Sequence, residues 1–155
     1  MGDYAIGLTE ARNTISALFT ATVLGHRPTL LERQGHVGVL IGAGDLDQLL
    51  AGCYAFHPEA FFEPHAVSIW LPELELYGRG ASYEDAEQDL VEEVRDYIEE
   101  YWAEIERYRL APNRAGHLPY LLRALLADRE GKLRGLLVGQ QADADPAQRA
   151  PIAPA

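Results

Sequence analysis

The 155-residue chain has a single cysteine, Cys53, and no apolar run approaching the ~18–20 residues of a membrane-spanning helix. One cysteine excludes an internal disulfide and a cysteine-based zinc site. The opening Met-Gly-Asp-Tyr lacks the basic-then-apolar pattern of a secretion signal, so a cytoplasmic protein without membrane contact is expected. Basic residues are also scarce: 13 Lys and Arg against 24 Asp and Glu give a formal charge of −11. That balance excludes a surface built wholly to hold nucleic acid, although a local basic patch is compatible with it. What is present is apolar material, 48% hydrophobic and 9% aromatic, which is too rich for a disordered acidic polymer. The length suits one ordinary domain or two small ones.

The acidic excess is uneven. Residues 1–56 carry three basic and five acidic side chains, residues 57–110 four and fifteen, and residues 111–155 six and four. The middle third therefore holds a charge of −11 by itself, and phosphates would be repelled there. Any nucleic-acid contact belongs elsewhere, and two jobs divided along the chain are expected.

Residues 4–8 form a short apolar run before a helix start and predict a strand. Thr9 is placed to cap that helix, with Glu10 in its first turn, where the helix dipole favours a carboxylate. Ala11, Ile15, Leu18, Phe19 and Val23 recur at helical spacing and predict one buried face. Gly25 and Pro28 end it. Two apolar runs, 29–33 and 37–41, flank Gln34-Gly35 and predict a hairpin, and 45–50 predicts a short helix. Residues 53–65, interrupted by Pro58 and Pro64, read as a connector bearing Tyr54, Phe56, Phe61 and Phe62. Residues 66–71 and 74–78 predict two strands around Pro72.

Ser82 and Asp85 make a capping-box pattern at the head of an amphipathic helix of about seven turns if unbroken. Its apolar positions run through Ala86, Leu90, Val94, Tyr97, Ile98, Tyr101, Trp102, Ile105 and Tyr108. Residues 117–126 predict another helix, and 140–155, rich in Ala, Gln, Asp and Pro, a disordered tail. The expected class is α+β: a β-α-β-β-α unit over 1–52, a connector over 53–65, and an α+β region over 66–139 with a strand pair and long acidic helices.

Four pieces of the first third stand in a telling order: Leu8-Thr-Glu-Ala-Arg-Asn13, Leu18, Arg27-Pro-Thr-Leu-Leu-Glu-Arg-Gln-Gly-His-Val-Gly-Val-Leu-Ile41, and Asp45-Leu-Asp-Gln-Leu-Leu50. Together they resemble the N-terminal domain of the prevent-host-death (Phd/YefM) antitoxins. The hairpin turn departs from that family's pattern, reading Arg33-Gln-Gly-His36 where Lys or a second Arg is frequent, which predicts a weaker basic patch. The resemblance implies a homodimer on a palindromic operator, with Thr9, Arg12, Asn13 and Arg33 facing the DNA. Arginine can bridge phosphates or read guanine, and asparagine can pair with adenine. A dimer would bring about four to six basic groups, giving a salt slope of about −4 to −5 if all contact phosphate. Read without the family, Arg12 and Asn13 fit solvated helix positions equally well.

Further on, Val67-Ser-Ile-Trp-Leu-Pro-Glu-Leu74 followed by Tyr77-Gly-Arg-Gly-Ala-Ser-Tyr-Glu-Asp-Ala86 resembles, more loosely, the HicB-type antitoxin module. That module has a longer meander ahead of this point, whereas residues 56–64 give no clear extra strand. Both resemblances imply a cognate protein toxin as partner. A toxin acting on RNA needs a basic surface, and the carboxylates of Glu92, Glu93, Asp96, Glu99, Glu100 and Glu104 would attract it. Buried aromatic anchors would hold it, with Tyr97, Tyr101, Trp102 and Tyr108 as candidates. The same carboxylates suit a solvated helix face and the same aromatics suit a core. The segment 112–123 is likewise either a partner contact or a capped turn whose Tyr120 and leucines pack under the long helix.

Five histidines show no paired ligand spacing, no serine sits in a nucleophile elbow, and Gly42-Ala-Gly44 and Gly78-Arg-Gly80 lack the rest of a phosphate loop. No enzyme, metal or small cofactor is expected. The expected function is an antitoxin that neutralises a protein toxin and represses its own operon. The alternative is a stand-alone dimeric regulator that senses a ligand in its C-terminal half; a third is an adaptor without DNA contact.

Overall fold

The computed structural model describes residues 5–139, so the expected tail over 140–155 lies outside the described residues. The chain is an α+β protein of two compact units, Met1–Cys53 and Tyr54–Ala155.

In unit 1, β1 (Ala5–Gly7) runs parallel to β2 (Thr29–Arg33), and β2 pairs antiparallel with β3 (His36–Leu40). Between the first two strands lie α1 (Leu8–Asn13) and α2 (Ile15–Val23), and α3 (Ala43–Ala51) follows the hairpin. The hairpin closes in register, Arg33 opposite His36, because Gln34 and Gly35 take φ values of 52° and 79°, the left-handed pair a two-residue turn requires.

Two expectations for this unit need correction. Thr9 is not the cap: the helix begins at Leu8 with Gly7 in extended geometry at the N-cap, and no side chain bonds there. The expected single helix is broken at Thr14, whose hydroxyl donates to the Glu10 carbonyl at 2.9 Å and whose φ and ψ are −120° and 17°. The break leaves Ala11 buried and Leu18 half-buried, while Ile15, Phe19 and Val23 of the expected core face stay exposed.

Unit 2 opens on a strand where the connector was expected. Residues 59–63 are β4 (Glu59–Glu63), which pairs antiparallel with β5 (Ala66–Leu71), and β5 pairs with β6 (Leu76–Gly80). Pro58 and Pro64 flank the strand instead of interrupting it. Their missing N–H groups fall outside the ladder, so they delimit β4. The third strand starts two residues later than expected, since Glu75 turns the chain at φ 55°.

Then comes α4 (Tyr83–Ala103), with the expected capping box formed: the Asp85 N–H donates to Ser82 Oγ and the Ser82 N–H to Asp85 Oδ2, both at 3.1 Å. The predicted seven-turn helix breaks at Glu104, and α5 (Ile105–Leu110) leaves at a new angle. Tyr108 can thereby stack on Tyr101, with ring centroids 5.2 Å apart and planes 13° from parallel. In a straight helix the seven-residue spacing would hold those rings about 10 Å apart. A 3-10 turn (Ala115–His117), α6 (Leu118–Arg129) and α7 (Leu133–Val138) complete the unit, the last in a stretch without an expected element.

A cluster of sixteen buried apolar residues sits between the sheet and the helices, drawn from β5, the β5–β6 turn, α4, α6 and α7. The sheet contributes alternate residues, Val67, Ile69 and Leu71, as the two-residue period of a strand dictates. α4 lies directly on β6. A Cβ at Gly78 would fall 2.6 Å from the Leu90 nitrogen and still closer to the Ala86 carbonyl, so only glycine lets the helix seat at this depth. Asp89 Oδ2 accepts from the Arg79 N–H at 2.7 Å, which satisfies an amide on that edge of the sheet. Glu87 is buried on α4 and paired with Arg134 of α7, and Arg95 donates to Asp128 of α6 at 2.8 Å. These pairs fix the layering of the helices.

Candidate nucleic-acid and partner interfaces

The parallel register of β1 and β2 sets Gly7 beside Glu32, so the start of α1 and the end of β2 meet at one end of the sheet. A shallow depression forms there, lined by Gly7, Leu8, Thr9, Arg12, Glu32 and Arg33. Three of the four residues expected to face DNA, separated by up to 24 positions in sequence, thus share one exposed surface. Arg12 follows Thr9 by three residues, close to one turn of α1, which puts both on the same wall. Asn13 is exposed at the end of α1 and does not line the depression. Glu32 does line it, and its carboxylate lowers the net positive charge that Arg12 and Arg33 create.

Unit 1 also carries an apolar surface that it does not cover itself. Ile15, Phe19 and Val23 form an i, i+4, i+8 stripe on α2, and Val37 and Val39 project from one face of β3; all five are exposed, Phe19 at 59% and Val37 at 61%. Among the described residues, those fully buried in this unit are Ala11, Thr22 and Gly42. A core so thin is typical of a small fold that completes itself by association.

In unit 2 the four candidate aromatic anchors separate into two classes. Tyr97 and Tyr101 are buried in the core and unavailable to a partner without opening α4. Trp102 is exposed at 38% and Tyr108 is half-buried, its hydroxyl donating to the Glu100 carboxylate. Tyr97 sits in a polar network that no local pattern predicts. Its hydroxyl lies 2.8 Å from His117 Nδ1, and the Arg114 guanidinium is 5.3 Å from its ring centre. Burial raises the Tyr97 pKa against the opposing pull of Arg114. Burial, reinforced by Arg114, lowers that of His117.

The segment 112–123 is accordingly part of the fold. Arg114 and His117 hold α4, Leu121 is buried, and Tyr120 packs against Tyr54 and Phe56 with ring centres 5.3 and 5.5 Å away. The expected carboxylate face is present, with Glu92, Glu93, Asp96, Glu99, Glu100 and Glu104 all exposed. Among the described residues, no three His, Cys, Asp or Glu side chains converge to hold a metal, and no helix is long and apolar enough to cross a membrane.

A crystal structure described as the antitoxin part of a proposed toxin/antitoxin system from Syntrophomonas wolfei subsp. wolfei superimposes with a TM-score of 0.73 at 26% identity, covering 86% of this chain and 95% of that one. No curated protein matches. Residues 3–139 match the PHD-like family, described as antitoxin of toxin–antitoxin, RelE/RelB, TA system, and the chain belongs to that family.

Proposed function

We propose that this antitoxin divides its work between its units. In this reading unit 1, which resembles the Phd/YefM domain in sequence, forms a homodimer on operator DNA, and unit 2, whose residues 67–86 loosely resemble the HicB-type module, binds and neutralises the toxin. The observation that carries the DNA half is the meeting of Thr9, Arg12 and Arg33 in one exposed depression. Asn13, next along α1, is placed to extend that contact. The uncovered stripe on α2 and the valines of β3 support a second copy as the missing cover. With Glu32 in the notch, operator affinity is modest, and joint binding with the toxin would strengthen it.

For unit 2, the charge of −11 over residues 57–110 draws in a basic partner from beyond contact distance. Of the four candidate anchors, Trp102 and Tyr108 are the two with accessible surface, while Tyr97 and Tyr101 support them from within.

The test is co-expression with the neighbouring reading frame, scored for growth rescue and co-purification, together with Arg12→Ala. Arg12→Ala is expected to weaken operator binding about tenfold and to make the salt slope shallower by about 2, since a dimer loses two phosphate contacts. Toxin neutralisation should be unchanged. Loss of both activities in this variant would refute the division of labour.

A further inference from the structure

We infer that the toxin docks on the outward face of the β4–β5–β6 sheet, presenting to it a patch that is apolar at its centre and basic at its border. The assignment rests on the antitoxin reading above and specifies where on unit 2 the contact is made.

The two faces of this sheet differ. One supplies Val67, Ile69 and Leu71 to the core. On the other, the strand register aligns two rows: Glu59, Trp70 and Tyr77, then Phe61, Ser68 and Arg79. Phe61 and Tyr77 are exposed at 49% and 42%. Trp70 is half-buried and packs on Tyr77 with ring centres 4.3 Å apart, and the Arg79 guanidinium lies 5.5 Å from that same Tyr77 ring. Trp, Tyr and Arg on one surface form the composition of an interface hot spot. Among the described residues the core takes nothing from this face, so packing of that core does not account for the aromatic content here. The expected anchors Tyr97 and Tyr101 are committed to the core.

Charge selects the occupant. The two-residue period puts Glu59 and Glu63 on either side of Phe61 on this same face. A second copy would bring carboxylates, and a unit of the same net sign, against them. A basic protein relieves both.

The experiment measures binding of the full-length chain to the separately purified product of the neighbouring reading frame by calorimetry. Phe61→Ser, Tyr77→Ser, Glu63→Lys and, as a helix-side control, Leu110→Ser, at an exposed apolar residue of α5, are each checked for an unchanged unfolding midpoint. The two aromatic variants should weaken binding roughly 30-fold or more, and Glu63→Lys about tenfold with a flatter salt dependence. Leu110→Ser should stay within about threefold. Binding by folded Phe61→Ser and Tyr77→Ser within threefold of the parent overturns the assignment. So does tighter binding by Glu63→Lys, which would mean an acidic partner. A loss of self-association at constant toxin affinity overturns it too, because the occupant is then a second copy. If an aromatic variant fails to fold, Glu63→Lys, fully on the surface, decides alone. Failure of the parent chain to bind the neighbouring product removes the antitoxin reading itself, an outcome distinct from failure of the variants.

Discussion

The two units solve the problem of burial differently. Unit 2 gathers sixteen buried apolar residues around α4, while unit 1 leaves Ile15, Phe19, Val23, Val37 and Val39 in solvent and fully buries little. Its elements are short, none exceeding nine residues, so no helix in it is long enough to roof a sheet as the 21-residue α4 does. A unit that closes its own core can offer a separate surface to a partner. In the proposed reading, the unit that does not close its core covers its apolar face with a second copy, which would pair the basic notch of one copy with that of another.

The largest expected effect probes the dense unit. Gly78→Ala drives a Cβ into the backbone of α4, and unfolding in urea should reveal a loss of about 3 kcal/mol or more. A shift under about 0.5 kcal/mol would mean that α4 is not held against β6 as closely as described. Phe19→Asp tests the thin unit. If a second copy covers α2, sedimentation should show dimer dissociation strengthened roughly 30-fold or more, with the unfolding of the core around α4 unchanged. An unaltered dimer would move the association surface elsewhere.

Smaller effects sharpen the contrast. Ser82→Ala removes the capping box of α4 and should cost about 1 kcal/mol, whereas Thr9→Ala, which removes no cap, should cost only a few tenths. Equal losses would contradict the assigned caps.

The smallest effect concerns pH. Native His117 is held neutral below the ordinary histidine value by burial and by Arg114, so the unfolded chain binds the proton first as pH falls. Stability should therefore decline below about pH 6.5 and level off at the lower native pKa. His117→Asn should remove that part of the slope, seen as the difference between two urea-unfolding pH profiles.

Much of the fold was legible where local chemistry repeats. The capping box at Ser82, the hairpin around Gln34-Gly35 and the strand at 66–71 are each written in a few neighbouring residues, and each formed as expected. β4 escaped because its prolines suggested a break, when their position outside the ladder made them boundaries. The candidate site was half legible. Arg12 and Arg33 could be named from a resemblance, but their shared depression depends on the parallel pairing of β1 and β2, which no local pattern encodes.

The apolar stripes were ambiguous for the same reason. Ile15, Phe19 and Val23 repeat at helical spacing just as Leu90, Val94, Tyr97 and Ile98 do, yet the first group lies in solvent and the second in a core. By itself the sequence determined the charge division, the capping box of α4, the hairpin turn and the apolar spacing within each element, since these are set by residues within one or two turns of one another. The tertiary structure alone decided which apolar faces are covered and which are offered. Burial depends on what packs opposite, and the partner of any face is chosen by the path of the whole chain.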